Sequence, residues 1–229
     1  MLARYLPLIA GIAPVLGVSL AYWLGIESGI LPGCVPFLEG CVSVSATGRY
    51  LPGSLLFQAV MLPQVAILVF LWSFAAGWLR WLAPETKAPD AIVFAGTLGA
   101  LALILYVTFL GTSGQFYEFM RRFGIYFYFL GTATAQLTLA LSLLRHSKTA
   151  TTPHLRRIAA AMLWLCGLPF ALGLLNLVLK SILEDADMAE NRIEWIAALF
   201  MQAYFVVLYL AWRVTGFSVT VRTSSQGAD

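Results

Sequence analysis

LLFQAVMLPQVAILVFLWSFAAGWLRWL, Leu55–Leu82, holds a single charged residue, Arg80, near its end. Its apolar side chains are consecutive, so a helix built from it would be apolar all round and leave no face for water. A helix needs about 20 such residues to cross roughly 30 Å of hydrocarbon. Outer-membrane strands would instead alternate polar and apolar over ~10 residues, and this stretch does not. Five further runs read the same way: Tyr5–Ile26, Ala91–Thr112, Gly124–Leu144, Ile158–Leu183 and Trp195–Val214. The chain is therefore expected to be an all-α, polytopic membrane protein, a six-transmembrane-helix bundle. One domain is expected over residues 1–229, because the polar gaps are too short to hold a second core.

Composition agrees. Of 229 residues, 60% are hydrophobic and 11% charged, against about 45–50% and about 25% in soluble domains. No basic cluster is interleaved with aromatics on a polar surface, so no nucleic-acid partner is expected. The first run raises the question of a cleaved leader, since Arg4 precedes it and Ser19-Leu20-Ala21 loosely resembles a cleavage site. It runs on through Tyr22, Trp23 and Leu24, well past the 7–15 apolar residues of a signal core, so a retained helix is expected.

Charge placement orients the bundle. One side collects nine cations, Arg4, Arg80, Lys87, Arg145, Lys148, Arg156, Arg157, Arg213 and Arg222, against three acids, Glu85, Asp90 and Asp229. The other side holds five cations, Arg49, Arg121, Arg122, Lys180 and Arg192, and eight acids, Glu27, Glu39, Glu118, Glu184, Asp185, Asp187, Glu190 and Glu194. Lys and Arg mark the cytoplasmic side, so both termini are expected in the cytoplasm. Which membrane, endomembrane or plasma membrane, does not follow from the charges.

Cys34 and Cys41 share the first outside loop, with six residues between them. An oxidising exterior permits a small disulfide loop there; two unrelated thiols are the alternative. Cys166 falls mid-span, where a thiol packs as a small hydrophobe.

No Lys, Arg, Asp or Glu falls near the middle of a span, which argues against a proton-coupled transporter. The polar groups at depth are Gln58, Gln64, Gln136, Asn176 and Gln202, with Thr108, Thr132, Thr134 and Thr138; their plain role is interhelical hydrogen bonding. Gly131, Gly167 and Gly173 are expected to allow close helix approach, and Pro63 and Pro169 to kink their helices. Catalytic motifs are missing: there is no G-x-S-x-G, H-E-x-x-H, P-loop or dinucleotide fingerprint. His146 and His154 match no zinc spacing and suit a solvated loop near anionic headgroups. No metal and no cofactor is expected, and whether the chain is an enzyme stays open.

The outside loop Glu27–Ser54 ends in SVSATGRYLPGSLLF, Ser43–Phe57. This segment resembles the "ISDTGTYPPESxxF" signature of the Frag/DRAM/Sfk family, six-helix membrane proteins that include autophagy modulators and GPI-anchor lipid-remodelling proteins. Three more segments follow in family order. HLRRIAAAMLWLCGLPF from His154 resembles the entry to the fifth helix, IEWIAALFMQAYFVVLY from Ile193 the E-W opening of the sixth, and FSVTVRTSS from Phe217 the short tail. The chain departs from the pattern at Ala46, at Leu51-Pro52 and at Gly53. It also has Arg121 and Arg122 near the place where the family often carries a His.

The resemblance implies a protein that recognises or remodels a lipid, or the lipid of a GPI anchor, from the extracytoplasmic leaflet. Membrane lipids are then its partners. Arg49, Arg121 and Arg122 all belong to that side and suit phosphate; Glu118 and Glu194 could orient them or take a headgroup amine. A compact bundle is expected to gather Arg49, Tyr50, Arg121, Arg122, Glu194 and Trp195 around one cavity mouth, with Glu194 in salt-bridge or one-water reach of an arginine. Snorkelling by the arginines and helix capping by Glu194 explain the same residues without a ligand. The alternative function is a non-enzymatic scaffold or regulator, of the autophagy or lipid-kinase-recruiting type. It would engage a protein partner at the cytoplasmic face through Arg145–Arg157 and the tail from Arg213.

Overall fold

The computed structural model describes residues 2–149, 153–183 and 186–219. Of the groups weighed above, Glu184, Asp185, Arg222 and Asp229 lie outside the described residues, as does the tail segment from Thr220 onward. After a short 3-10 turn at Leu2–Tyr5 come α1 (Leu6–Glu27), α2 (Pro36–Glu39), α3 (Val44–Thr47) and α4 (Gly53–Leu82). Then follow α5 (Ala88–Phe109), α6 (Gln115–Thr149), α7 (Pro153–Ile182) and α8 (Asp187–Val214). No strand occurs among the described residues. Six helices, α1, α4, α5, α6, α7 and α8, are long and apolar enough to cross a membrane.

Several of these helices outrun the apolar stretches that announce them. α6 covers Gln115–Thr149, whereas hydropathy alone points to Gly124–Leu144. Hydropathy marks the part of a helix that sits in hydrocarbon, while the backbone ladder continues for as long as its hydrogen bonds close. The consequence matters for function, because Arg121 and Arg122 stand on the first turns of a helix and not in a connection.

The spanning helices close into a ring in which α1 meets α4, α4 meets α5, α5 meets α6, α6 meets α7, α7 meets α8 and α8 returns to α1. The centre is filled by large rings: Trp72, Trp78, Trp212, Tyr204, Phe57 and Phe205 are fully buried. Both described ends lie at one end of the bundle, where Tyr5 stacks on Tyr209 with centroids 5.9 Å apart and Trp78 Nε1 donates to Thr215 Oγ1 at 3.0 Å. Two glutamines tie neighbours together at depth. Gln64 Nε2 of α4 donates to the Ala10 carbonyl of α1 at 2.7 Å; Gln136 Nε2 of α6 donates to the Met201 carbonyl of α8 at 3.0 Å.

The ring is uneven. α5 and α6 touch backbone to backbone: a Cβ on Gly131 would stand 2.5 Å from the Ala95 carbonyl oxygen and 2.8 Å from the Gly99 backbone. The expectation for Gly131 is met. It is not met for Gly167 or Gly173, where an added Cβ would find nothing within 4 Å. α7 buries Leu155, Ala159, Met162 and Cys166 in its first half and nothing beyond them. Its second half stands off the bundle, starting near Pro169, which has no N–H to offer the Leu165 carbonyl.

Candidate functional site

The end of the bundle opposite the two described termini is covered by the α1–α4 connection. Cys34 and Cys41 are joined in a disulfide with their Cα atoms 6.6 Å apart, and the loop between them carries α2. Tyr22 of α1 holds this loop from below, its hydroxyl donating to the Pro32 carbonyl at 2.8 Å and accepting from Cys34 N at 3.1 Å. α8 holds it from the side. Asn191 Nδ2 donates to the Gly40 carbonyl at 2.9 Å, Arg192 to the Glu39 carbonyl at 3.2 Å and Trp195 Nε1 to the Val42 carbonyl at 2.9 Å. Gly40 is required twice over: its φ is +69°, and any Cβ there would collide with the Met188 carbonyl.

The segment that follows forms α3, capped by Ser43, whose Oγ accepts from Ala46 N at 3.1 Å. Ser45, in the turn that follows the cap, presents two groups in opposite senses. Ser45 N donates to Glu194 Oε1 of α8 at 3.2 Å, while Ser45 Oγ accepts from the Arg49 guanidinium at 3.0 Å. Arg49 is set by its backbone as well, because Gly111, with φ +84°, lets α5's exit pass so close that a Cβ would lie 2.5 Å from the Arg49 carbonyl oxygen.

Beside this segment the stand-off of α7 leaves a cleft of about 710 Å³ between α6, α7 and α8. α6 contributes Arg121, Arg122, Ile125, Phe129 and Ala133, α7 contributes Cys166, Phe170 and Asn176, and α8 contributes Glu190, Glu194 and Met201. Ser45 and Arg49 close the top. The lining is graded. Every charged group belongs to the end nearest the α1–α4 connection, and deeper positions are mostly apolar; the amides there are Asn176 and Gln136, the latter already engaged with α8. From Arg122 to Gln136 the cleft follows about 20 Å of helix at 1.5 Å per residue, more than one leaflet's share of a ~30 Å core. A smaller apolar cavity of about 90 Å³ lies on the other side of Glu194, lined by Val18, Phe57, Tyr128, Trp195 and Gln202 among others. Tyr106, Ile125, Phe129, Glu194 and Met201 form the wall common to both.

Four of the residues singled out from sequence therefore share one mouth: Arg49, Arg121, Arg122 and Glu194. Glu118 does not line it but faces both α6 arginines, forming an ion pair with Arg122 and standing 3.9 Å from Arg121. Tyr50 is not brought there; it is 55% exposed and does not line the cleft. Nor does Trp195 line the mouth. It is buried, packed edge-on against Phe37 at 5.3 Å and Tyr22 at 6.0 Å, and its job is to seat the disulfide loop. Glu194 forms no ion pair with an arginine among the described residues; Ser45 stands between it and Arg49. No group of three or more His, Cys, Asp or Glu suited to a metal ion occurs among the described residues.

Ser45, Glu190 and Asn176 were not legible as cleft residues. Asn176 had one available signal, an amide on a span whose neighbours are all aliphatic; its Oδ1 is buried without a hydrogen-bond partner. Compared with family models, with curated proteins and with solved structures, the chain matches none.

Proposed function

We propose that this is a lipid-handling membrane protein that takes a phospholipid, or the lipid of a GPI anchor, into the α6–α7–α8 cleft from the extracytoplasmic leaflet. The observation that carries the reading is the grading of that cleft, with cations confined to one end and a mostly apolar slot about 20 Å deep below them. Ligand sites of this kind are largely apolar with a few placed polar groups, and an amphiphile has the same polarity along its own length. The opening faces the side of the membrane poorer in Lys and Arg, hence the extracytoplasmic leaflet. The four segments similar to the Frag/DRAM/Sfk family agree with lipid remodelling, and Arg49 and Glu194 both lie within them. Nothing in the cleft supplies a recognisable nucleophile and base, so recognition is the activity claimed.

Photolabelling tests this. Protein reconstituted in vesicles containing a phospholipid with a diazirine in its acyl chain should be labelled chiefly on peptides carrying Phe129, Phe170 and Met201. Arg49→Ala combined with Arg121→Ala should lower that labelling about tenfold, since a charge-assisted hydrogen bond is worth about 1.5–3 kcal/mol. Labelling spread over all lipid-facing helices, and unchanged in the variant, would refute the proposal.

A further inference from the structure

Three acids lie at the mouth of the cleft or beside it, Glu190 and Glu194 in its lining and Glu118 next to the α6 arginines, and two of them are already neutralised. Glu118 is paired with Arg122 and lies near Arg121, and Glu190 Oε1 accepts from Lys180 at 2.7 Å. Glu194 is different. It is half-buried, and its hydrogen bond is to the neutral N–H of Ser45. A carboxylate drawn out of water is costly unless a cation meets it. Arg49 is the converse: a guanidinium bonded to the neutral hydroxyl of Ser45, with no carboxylate among its described ion pairs.

The two opposite charges do not meet, because Ser45 holds one through its N–H and the other through its Oγ. They are thus fixed about one residue apart at the polar end of an apolar slot, both on its lining. The complement of such a mouth is a zwitterion with an anion and a cation a short linker apart. We infer that the headgroup end of the cleft is built for a phosphodiester bearing a primary ammonium, with Arg49 facing the phosphate and Glu194 accepting from the ammonium. This rests on the cleft being a lipid site. The aminoethyl phosphate group is the chemistry in question, and the apolar depth below it commits the ligand to the lipid form over a soluble ester.

The test compares two diazirine-acyl probes in phosphatidylcholine vesicles holding the full chain: phosphatidylethanolamine, and its N-acetyl derivative, which keeps the phosphate and chains but loses the cation. Cleft peptides should be labelled about tenfold more by the first, the effect of one charge-assisted hydrogen bond. Glu194→Gln should bring the ratio near one while labelling by the N-acetyl probe persists. Equal labelling of the native chain by both probes overturns the inference and leaves the lipid cleft standing, and the comparison needs no variant to fold. A ratio unchanged by Glu194→Gln overturns the assignment to Glu194. Soluble O-phosphoethanolamine should not displace the lipid probe, and displacement at equal concentration overturns the commitment to a lipid. Absence of cleft labelling by either probe instead overturns the lipid reading itself.

Discussion

Gly40 and Gly29 form a matched pair of perturbations that isolates how firmly the disulfide loop is seated. Both glycines have positive φ, +69° and +71°. An alanine at either therefore meets the same backbone penalty, about 1–2 kcal/mol for an L-residue in the left-handed region, partly offset by about 0.4–1 kcal/mol from a stiffer unfolded chain. They differ in surroundings. A Cβ on Gly29 has nothing within 4 Å, whereas one on Gly40 collides with the Met188 backbone of α8 and reaches Arg192 Cγ at 3.0 Å. To relieve the collision the loop must lift, and the hydrogen bonds from Asn191, Arg192 and Trp195 lie across the same contact. At about 0.5–1.5 kcal/mol each, their loss adds roughly 2–4 kcal/mol. In detergent, thermal unfolding followed by circular dichroism should show Gly29→Ala lowering Tm by about 1–4 °C and Gly40→Ala by about 6–15 °C, at roughly 2–4 °C per kcal/mol for a chain of this size. Equal drops would refute the reasoning, since they would mean that α8 does not bear the loop. Loss of lipid photolabelling should accompany Gly40→Ala alone, because the lifted loop carries Ser45 and Arg49 away from Glu194.

Orientation is checked by single cysteines at exposed positions: an impermeant thiol reagent should label Glu27→Cys in intact vesicles of native orientation and spare Glu85→Cys, and the reverse pattern would overturn the charge argument. Replacing both Cys34 and Cys41 by serine should cost about 2–3 kcal/mol through the closed loop of the unfolded chain, read as a Tm loss of about 4–12 °C. Equal melting of the two forms would show that the crosslink does not stabilise the fold. Tyr50→Ala should leave lipid photolabelling within twofold of the native chain, since the side chain lies off the cleft; a tenfold loss would return it to the site.

Much of this was readable before any coordinates. Six spans follow from consecutive apolar residues, because hydrocarbon solvates no backbone and only a helix satisfies its own hydrogen bonds within one segment. Arg49, Arg121 and Arg122 stood out as the arginines that suit phosphate on the side poorer in cations, and Glu194 as the acid that opens the last span. The helical setting of the two α6 arginines was not readable, since a helix that rises out of hydrocarbon loses its hydropathy signal while keeping its backbone bonds.

What only the tertiary structure decided is which of the bordering groups meet. Lipid-facing and protein-facing apolar residues look alike in a sequence, because lipid tails are as apolar as leucine. Gly131 and Gly173 are indistinguishable by type, yet one lies against α5 and the other opens onto the cleft. Trp195 and Glu194 are adjacent in the chain, but the 100° turn of the helix sends one to the loop and the other to the cleft wall. Ser45, 149 positions from Glu194, was joined to it by the packing of the α1–α4 connection onto α8, a long-range contact that no local pattern encodes.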